Sequence, residues 1–406
     1  MSTIFILTII DKQEINGIFE KMIKIKITYL ATILISVLLL IIGHNITIRG
    51  MISFQNPSQE TVRAKVRNVI ERVQPNYDFI DNFNDIETFA PIMQGEKIIF
   101  EAQITKGHRK GETVTAEQNF SSMLKGRLKE VKQGDNVLLI RNDLGWFFDG
   151  YFRINKLIFL GALFAICLII FGGAKGFNTI LSLGFTCAAI FSVFIPAILS
   201  GKNIYVMSVI VCVYTIAMMN LIVIGFNKKA IASMTGCAGG VIIAGIIAAV
   251  MDKILNLTGI VDEHSRYLIN LSADIQLNLH AVVFAGIIIG AMGAIMDVSI
   301  SISSSLWEVK DKAPAIKFKE LFQSGITIGR DIMASMADTL ILAYIGTSLS
   351  VVLILTVFSN SLLGLFNSAM FAVEILQAMS GSLGILFAMP LTAFFSSIIY
   401  TRQKTQ

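Results

Sequence analysis

Eight stretches of roughly twenty apolar residues recur along this 406-residue chain. Each is about the length a helix needs to cross ~30 Å of hydrocarbon. They lie near 27–48, 155–173, 177–198, 204–226, 230–250, 281–305, 331–356 and 380–400. Hydrophobic residues make up 54% of the chain, charged residues only 15%, and the mean hydropathy is +0.71. No water-soluble fold of this size tolerates such a surface. The fold class is therefore mainly α: a polytopic transmembrane helix bundle set in a lipid bilayer, with a small β-rich extracytoplasmic domain between spans one and two.

Charge placement orients the bundle. Lys21, Lys24 and Lys26 precede the first span, and Lys175, Lys228 and Lys229 punctuate alternate later connections. Lys310, Lys312, Lys317, Lys319 and Arg330 crowd the loop after the sixth span, and Arg402 and Lys404 follow the last. The positive-inside rule puts all of these on the cytoplasmic side, with both termini there. The net charge of +5 is dispersed over these short loops, so it does not point to nucleic acid. Cys167, Cys187, Cys212 and Cys237 all sit in apolar segments without a Cys-x-x-Cys pair, which argues against a disulfide framework or a zinc site. No metal or cofactor is expected.

The divisions follow. Residues 1–26 form a cytoplasmic N-terminus, of which 1–21 read as a possible over-extended start, because Met22-Ile-Lys-Ile-Lys is itself a natural beginning. Residues 27–48 lack a small-residue cleavage site and read as an uncleaved anchor. Residues 49–154 form the outer domain, 155–400 a seven-span membrane domain, and 401–406 a cytoplasmic tail. Within the outer domain, strand-like runs recur at Val62–Val69, Lys97–Ile104, Glu112–Ala116, Asn136–Arg141 and Trp146–Phe152. Five short strands fit a small barrel or sandwich. His108, beside Arg109 and Lys110 on a turn signal, reads as a solvated surface histidine.

The sixth span carries a stripe that ordinary lipid-facing helices lack. Gly286, Gly290, Gly293, Asp297, Ser301, Ser304 and Glu308 recur at spacings of four and three. At about 100° per residue they fall within about 40° of Asp297 on one face. Small residues admit a neighbouring backbone, so the expectation is a ridge facing into the bundle with Phe284, Ile288, Ile295, Ile302 and Leu306 facing outward. An intramembrane carboxylate costs at least ~2.5 kcal/mol on insertion scales, which makes Asp297 a functional candidate. In the seventh span Asp331, Ser335 and Asp338 share a face, and Arg330 is a candidate partner for Asp331 or Glu308. The eighth is preceded by Glu374 and Gln377, continues through Gly381 and Gly384, and meets Pro390. Such interruption would expose backbone groups able to line a site. Among the scaffold spans, Gly236, Gly239, Gly240 and Gly245 suggest close packing of the fifth.

The run from Ala285 through Met296-Asp-Val-Ser-Ile-Ser-Ile-Ser-Ser-Ser305 resembles the signature of the YibE/F-like bacterial membrane proteins. So do Leu321-Phe-Gln-Ser-Gly-Ile-Thr-Ile-Gly-Arg-Asp-Ile-Met333, Asp338-Thr-Leu-Ile-Leu-Ala-Tyr344, Ser380-Gly-Ser-Leu-Gly384 and Pro390-Leu-Thr-Ala393. The resemblance covers roughly residue 27 to the C-terminus and implies a bacterial cell membrane, an anchor, an outer domain and a multi-span bundle. It brings no settled activity. In similar proteins Asn is usual where this chain has Asp338, which leaves Asp297 as the carboxylate carried over.

Three functions stay open. Movement of a small solute or cation through a polar Gly/Asp-lined path accounts for the carboxylates. An envelope scaffold or accessory subunit, binding a protein partner through residues 49–154, accounts for everything else. An intramembrane aspartyl hydrolase is disfavoured, because Asp297 follows Ala-Ile-Met rather than Gly-x-Gly.

Overall fold

The computed structural model describes residues 12–49, 60–73, 97–120, 129–260, 265, 268, 277–358 and 361–402. The expected boundary at residues 1–21 and the tail beyond residue 402 lie largely outside the described residues. Two compact units emerge, Ser53–Cys167 and the pair of segments Met1–Ile52 with Leu168–Gln406.

All five strand-like runs are strands: β1 (Glu60–Val73), β2 (Lys97–Ile104), β3 (Thr113–Asn119), β4 (Asn136–Asn142) and β5 (Gly145–Tyr151). Alternation explains them. Ile98, Phe100, Ala102 and Ile104 of β2 point inward with Val114 and Ala116 of β3 and Val137 and Leu139 of β4, all buried. The strands close a barrel in the order β1-β2-β3-β5-β4. Every pairing is antiparallel except β3 with β5, which is the strand order of the OB-fold, a Greek-key barrel. Bulges between Val66 and Asn68 and between Val69 and Glu71 bend β1 so that it reaches both β2 and β4. Gln118, the one buried side-chain amide among the described barrel residues, is satisfied: it donates to the Lys129 carbonyl (3.1 Å) and accepts from the Val131 N–H (2.9 Å). His108 is exposed on its turn.

Among the helices, α1 (Lys12–Ile48) contains the expected anchor, and α2 (Ile154–Ala189), whose first part to Cys167 belongs to the barrel unit, runs through a π-turn (Ile190–Phe194) into α3 (Ile195–Leu199). Then come α4 (Ile204–Val223), α5 (Lys228–Ile254), α6 (Leu279–Lys312), α7 (Phe318–Thr347), α8 (Leu349–Phe358), α9 (Leu362–Phe366) and α10 (Ala369–Thr401). Side-chain caps start five of them. Asn203, Asn227, Asn278 and Ser368 accept from the backbone N–H groups of Val206, Ala230, Ala281 and Phe371. At α9 the Ser361 hydroxyl accepts from the Gly364 N–H (3.1 Å). At the head of α7, Glu320 accepts from the Lys317 N–H (3.3 Å).

Among the described residues six helices, not eight, are long and apolar enough to cross a membrane. Two physical reasons account for the difference. The expected spans 155–173 and 177–198 belong to one run, Ile154–Leu199, broken at Gly173 with φ 55° and ψ −133°, a conformation open to glycine alone. The expected span 331–356 is divided between α7, which starts thirteen residues earlier at Phe318, and α8 beyond Ser348. The eighth segment also departs from expectation. Helix α10 is continuous through Gly381, Gly384 and Pro390, so it presents no unwound backbone.

Helices α5, α6, α7 and α10 share one core. Ser303 of α6 meets Lys229 at the start of α5 and Tyr400 at the end of α10, so α6 and α10 run parallel and α5 runs against both. Helix α7 also opposes α10, since Gly325 faces Ala393 while Leu340 faces Gly381. The closest approach is between α5 and α10. A Cβ on Gly240 would sit 2.6 Å from the Ala388 Cβ and 2.9 Å from the Gly384 carbonyl, and one on Gly236 would strike Thr392. Gly236, Gly240 and Ala244 thus mesh with Gly384, Ala388 and Thr392, small residues four apart on both helices.

Candidate functional site

Helix α6 is oriented opposite to the expectation from its stripe. Ile288, Ile295, Ile302 and Leu306, taken as the outward face, are at most 2% exposed and form the centre of the core. Gly286, Gly290, Gly293, Asp297 and Glu308 are exposed, and Ser301 and Ser304 are half-buried. A Cβ on Gly286 or Gly293 would meet nothing within 4 Å. The physical reason is volume. Four helices packed around α6 need large branched side chains between them, and these come from its apolar face. Gly290 is the one ridge glycine with a close neighbour, because the Tyr344 hydroxyl of α7 lies 2.8 Å from where its Cβ would be.

Asp297 therefore stands near the middle of a 34-residue helix, about 27 Å along the axis from Leu279 at 1.5 Å per residue, on an unpacked face floored by glycine. Helix α7 contributes a second polar face. Arg330, Asp331, Ser335 and Asp338 are exposed there, while Gly325 and Gly329 turn inward against α6 and α10. The structure packs α6 against α7, but no hydrogen bond or ion pair joins Asp297, Arg330, Asp331 or Asp338 to another described residue. Glu308 does not pair with Arg330. Its partner is Lys229 (3.3 Å), whose ammonium also lies 5.6 Å from the Trp307 ring centroid. Both groups are partly exposed, so the pair adds little stability. Glu374 is half-buried, Gly381 and Gly384 are buried, and Pro390 is half-buried within α10. The two glycines serve helix contact: Gly381 faces Ala291 and Leu340, and Gly384 faces Ile295 and Ala244.

Two polar groupings were not singled out in the sequence. One is a hydroxyl seam inside the core. Thr392 donates to the Ser299 hydroxyl (3.2 Å), and Ser303 meets both the Tyr400 hydroxyl (2.7 Å) and the Lys229 carbonyl (2.8 Å). Interhelical hydroxyl bonds of this kind lock helices in register. Their signal was the four-residue spacing of Ser299 with Ser303 and of Thr392 with Ser396 and Tyr400. The other lies at the opposite end of the core, where Asp252 of α5 reaches Nδ1 of His280 on α6 at 3.1 Å. The two residues border a cavity of about 370 Å³ shared with Tyr205 and Phe284. A histidine in the first turn of a span and an aspartate in the last turn of another were visible, but not their meeting.

Chemically, the α6 and α7 faces offer carboxylates to a proton or cation and offer no nucleophile–base pair. Among the described residues no cluster of three or more His, Cys, Asp or Glu side chains could hold a metal ion. A family model described as YibE/F-like protein matches residues 160–402, more than half of the chain. No curated protein and no solved structure matches it.

Proposed function

From the premise that the chain belongs to the YibE/F-like family, we propose that it is a bacterial cell-membrane protein that moves a small solute or cation along the polar face of α6 and α7. The observation that carries this reading is Asp297, an exposed carboxylate midway along an apolar helix. Turned toward hydrocarbon, its charge would cost at least ~2.5 kcal/mol on insertion scales. Water, a cation or a bound proton removes that cost, and a site that exchanges them can couple movement to a gradient. Asp338 and Asp331 on α7 extend the same chemistry. Eight crossings underlie the proposal: α1, the two arms of α2 about Gly173, then α4, α5, α6, α7 and α10, with both termini in the cytoplasm. The alternating directions of α5, α6, α7 and α10 fit this count.

The test is flux into sealed proteoliposomes under an imposed proton gradient. Asp297→Asn keeps the shape and removes the charge, so it should fold normally and abolish coupled flux. Asp338→Asn should be milder, since an amide serves at that position in similar proteins. Full activity from a well-expressed Asp297→Asn protein would take the carboxylate out of the mechanism. The OB-type barrel supports a second reading, an envelope scaffold that holds a protein partner through the outer domain. That reading predicts no flux from the wild type and loss of function when the barrel alone is deleted.

A further inference from the structure

The barrel and the start of α2 line an open cavity of about 780 Å³ within the barrel unit. Its position follows from chain connectivity. Only Phe152 and Arg153 separate the end of β5 from Ile154, the first residue of an apolar helix. β3 ends, β4 begins and β5 ends at the same rim, because β3 pairs with β5 in parallel and β4 with β5 antiparallel. The cavity thus opens at the barrel end from which the chain enters α2, which is the depth of the lipid headgroups when that apolar helix crosses a bilayer.

Its chemistry fits that depth. Arg153, Lys156 and Lys129 line it with Asp149 and the rings of Phe148 and Tyr151. Lys129 is already engaged, 3.9 Å from Asp135 and 4.7 Å from the centre of the Tyr151 ring. Arg153 and Lys156 have no ion-pair partner among the described residues. Arg153 is the residue immediately before α2 and Lys156 lies in its first turn, tied to it by the Lys156 N–H donating to the Arg153 carbonyl (3.0 Å). A planar guanidinium and an ammonium side by side suit a phosphodiester. Aromatic rings at this level are the usual companions of lipid glycerol and acyl carbonyls. Asp149, also without an ion-pair partner, is placed to accept from a hydroxyl on the same headgroup.

We propose that this cavity binds the headgroup of an anionic phospholipid, with Arg153 and Lys156 on the phosphate and Asp149 on a headgroup hydroxyl. The lipid would fasten the outer domain to the membrane surface. The inference depends on α2 entering a bilayer and not on transport, so the flux experiment and this one fail separately.

The test is native mass spectrometry of the full-length protein in mixed micelles holding equal phosphatidylglycerol and phosphatidylcholine. The wild type should retain one phosphatidylglycerol about tenfold over phosphatidylcholine, the discrimination that ~1.4 kcal/mol gives. Arg153→Gln with Lys156→Gln should abolish that preference, while Arg153→Lys with Lys156→Arg should keep most of it. Gly150 lines the cavity, and a Cβ there meets nothing within 4 Å. Gly150→Leu should therefore fold, fill the space and lose the lipid without touching a charge. Lys175→Gln, a basic change elsewhere in the membrane unit, should leave the preference intact. Unchanged preference in the Gln pair or in Gly150→Leu would overturn the assignment, as would equal loss in Lys175→Gln. Displacement of the retained lipid by millimolar glycerol phosphate would overturn it in favour of a soluble phosphate ester.

Discussion

Ile295→Ala and Gly293→Leu, two residues apart on α6, should have opposite consequences. Ile295 is fully buried. Its Cγ2 lies 2.8 Å from where a Gly240 Cβ would be, and its Cδ1 lies 2.7 Å from that of Gly384, so it plugs the gap where α5 and α10 come closest. Truncation removes three carbons from a site whose walls are helix backbones and cannot collapse. Buried Ile→Ala changes cost about 2–5 kcal/mol. In a bilayer the unpacked side chain would rest in lipid as apolar as the core, which favours the lower half of that range. At Gly293 no heavy atom lies within 4 Å of the Cβ position, and replacing a helical glycine recovers up to about 1 kcal/mol. The two variants should therefore differ by roughly 3 kcal/mol, with a gap of several degrees in melting temperature. Thermal denaturation in detergent, read as loss of the monodisperse peak after heating, measures it. If Gly293→Leu melts as early as Ile295→Ala, the ridge is packed inside the bundle and the orientation of α6 argued above is wrong.

Gly240→Leu should be damaging for the opposite reason, since its Cβ would start 2.6 Å from the Ala388 Cβ and 2.9 Å from a backbone carbonyl. Overpacking of about 1–3 kcal/mol or more should lower the melting temperature in the same assay, and a wild-type melt would mean that α5 and α10 lie farther apart. The barrel unit, expressed as a soluble fragment of residues 53–153, should show strand-type circular dichroism and one cooperative thermal transition, because its core of alternating residues closes on itself. A random-coil spectrum would show that the barrel depends on the membrane unit.

The barrel strands were legible because water surrounds them. Alternation such as Lys97-Ile-Ile-Phe-Glu-Ala-Gln-Ile104 separates a wet face from a dry one, and all five runs were found within a few residues. Barrel closure was not legible, since it rests on β1 pairing with β4, whose partners Glu60 and Arg141 lie far apart in the chain. Likewise Asp252 and His280 belong to separate apolar segments, and nothing local to either announces the other. Membrane class could be read from the sequence by itself, because hydropathy and length are properties of single segments. Which side of each helix meets protein was decided only by tertiary structure. In water, polarity marks the outer face. In a bilayer the lipid and the protein core are equally apolar, so the pattern on α6 separated its glycine–carboxylate ridge from its isoleucines without saying which faced inward. Packing volume decided that. The isoleucines fill the space between four helices, and the ridge with Asp297 is left on the open side.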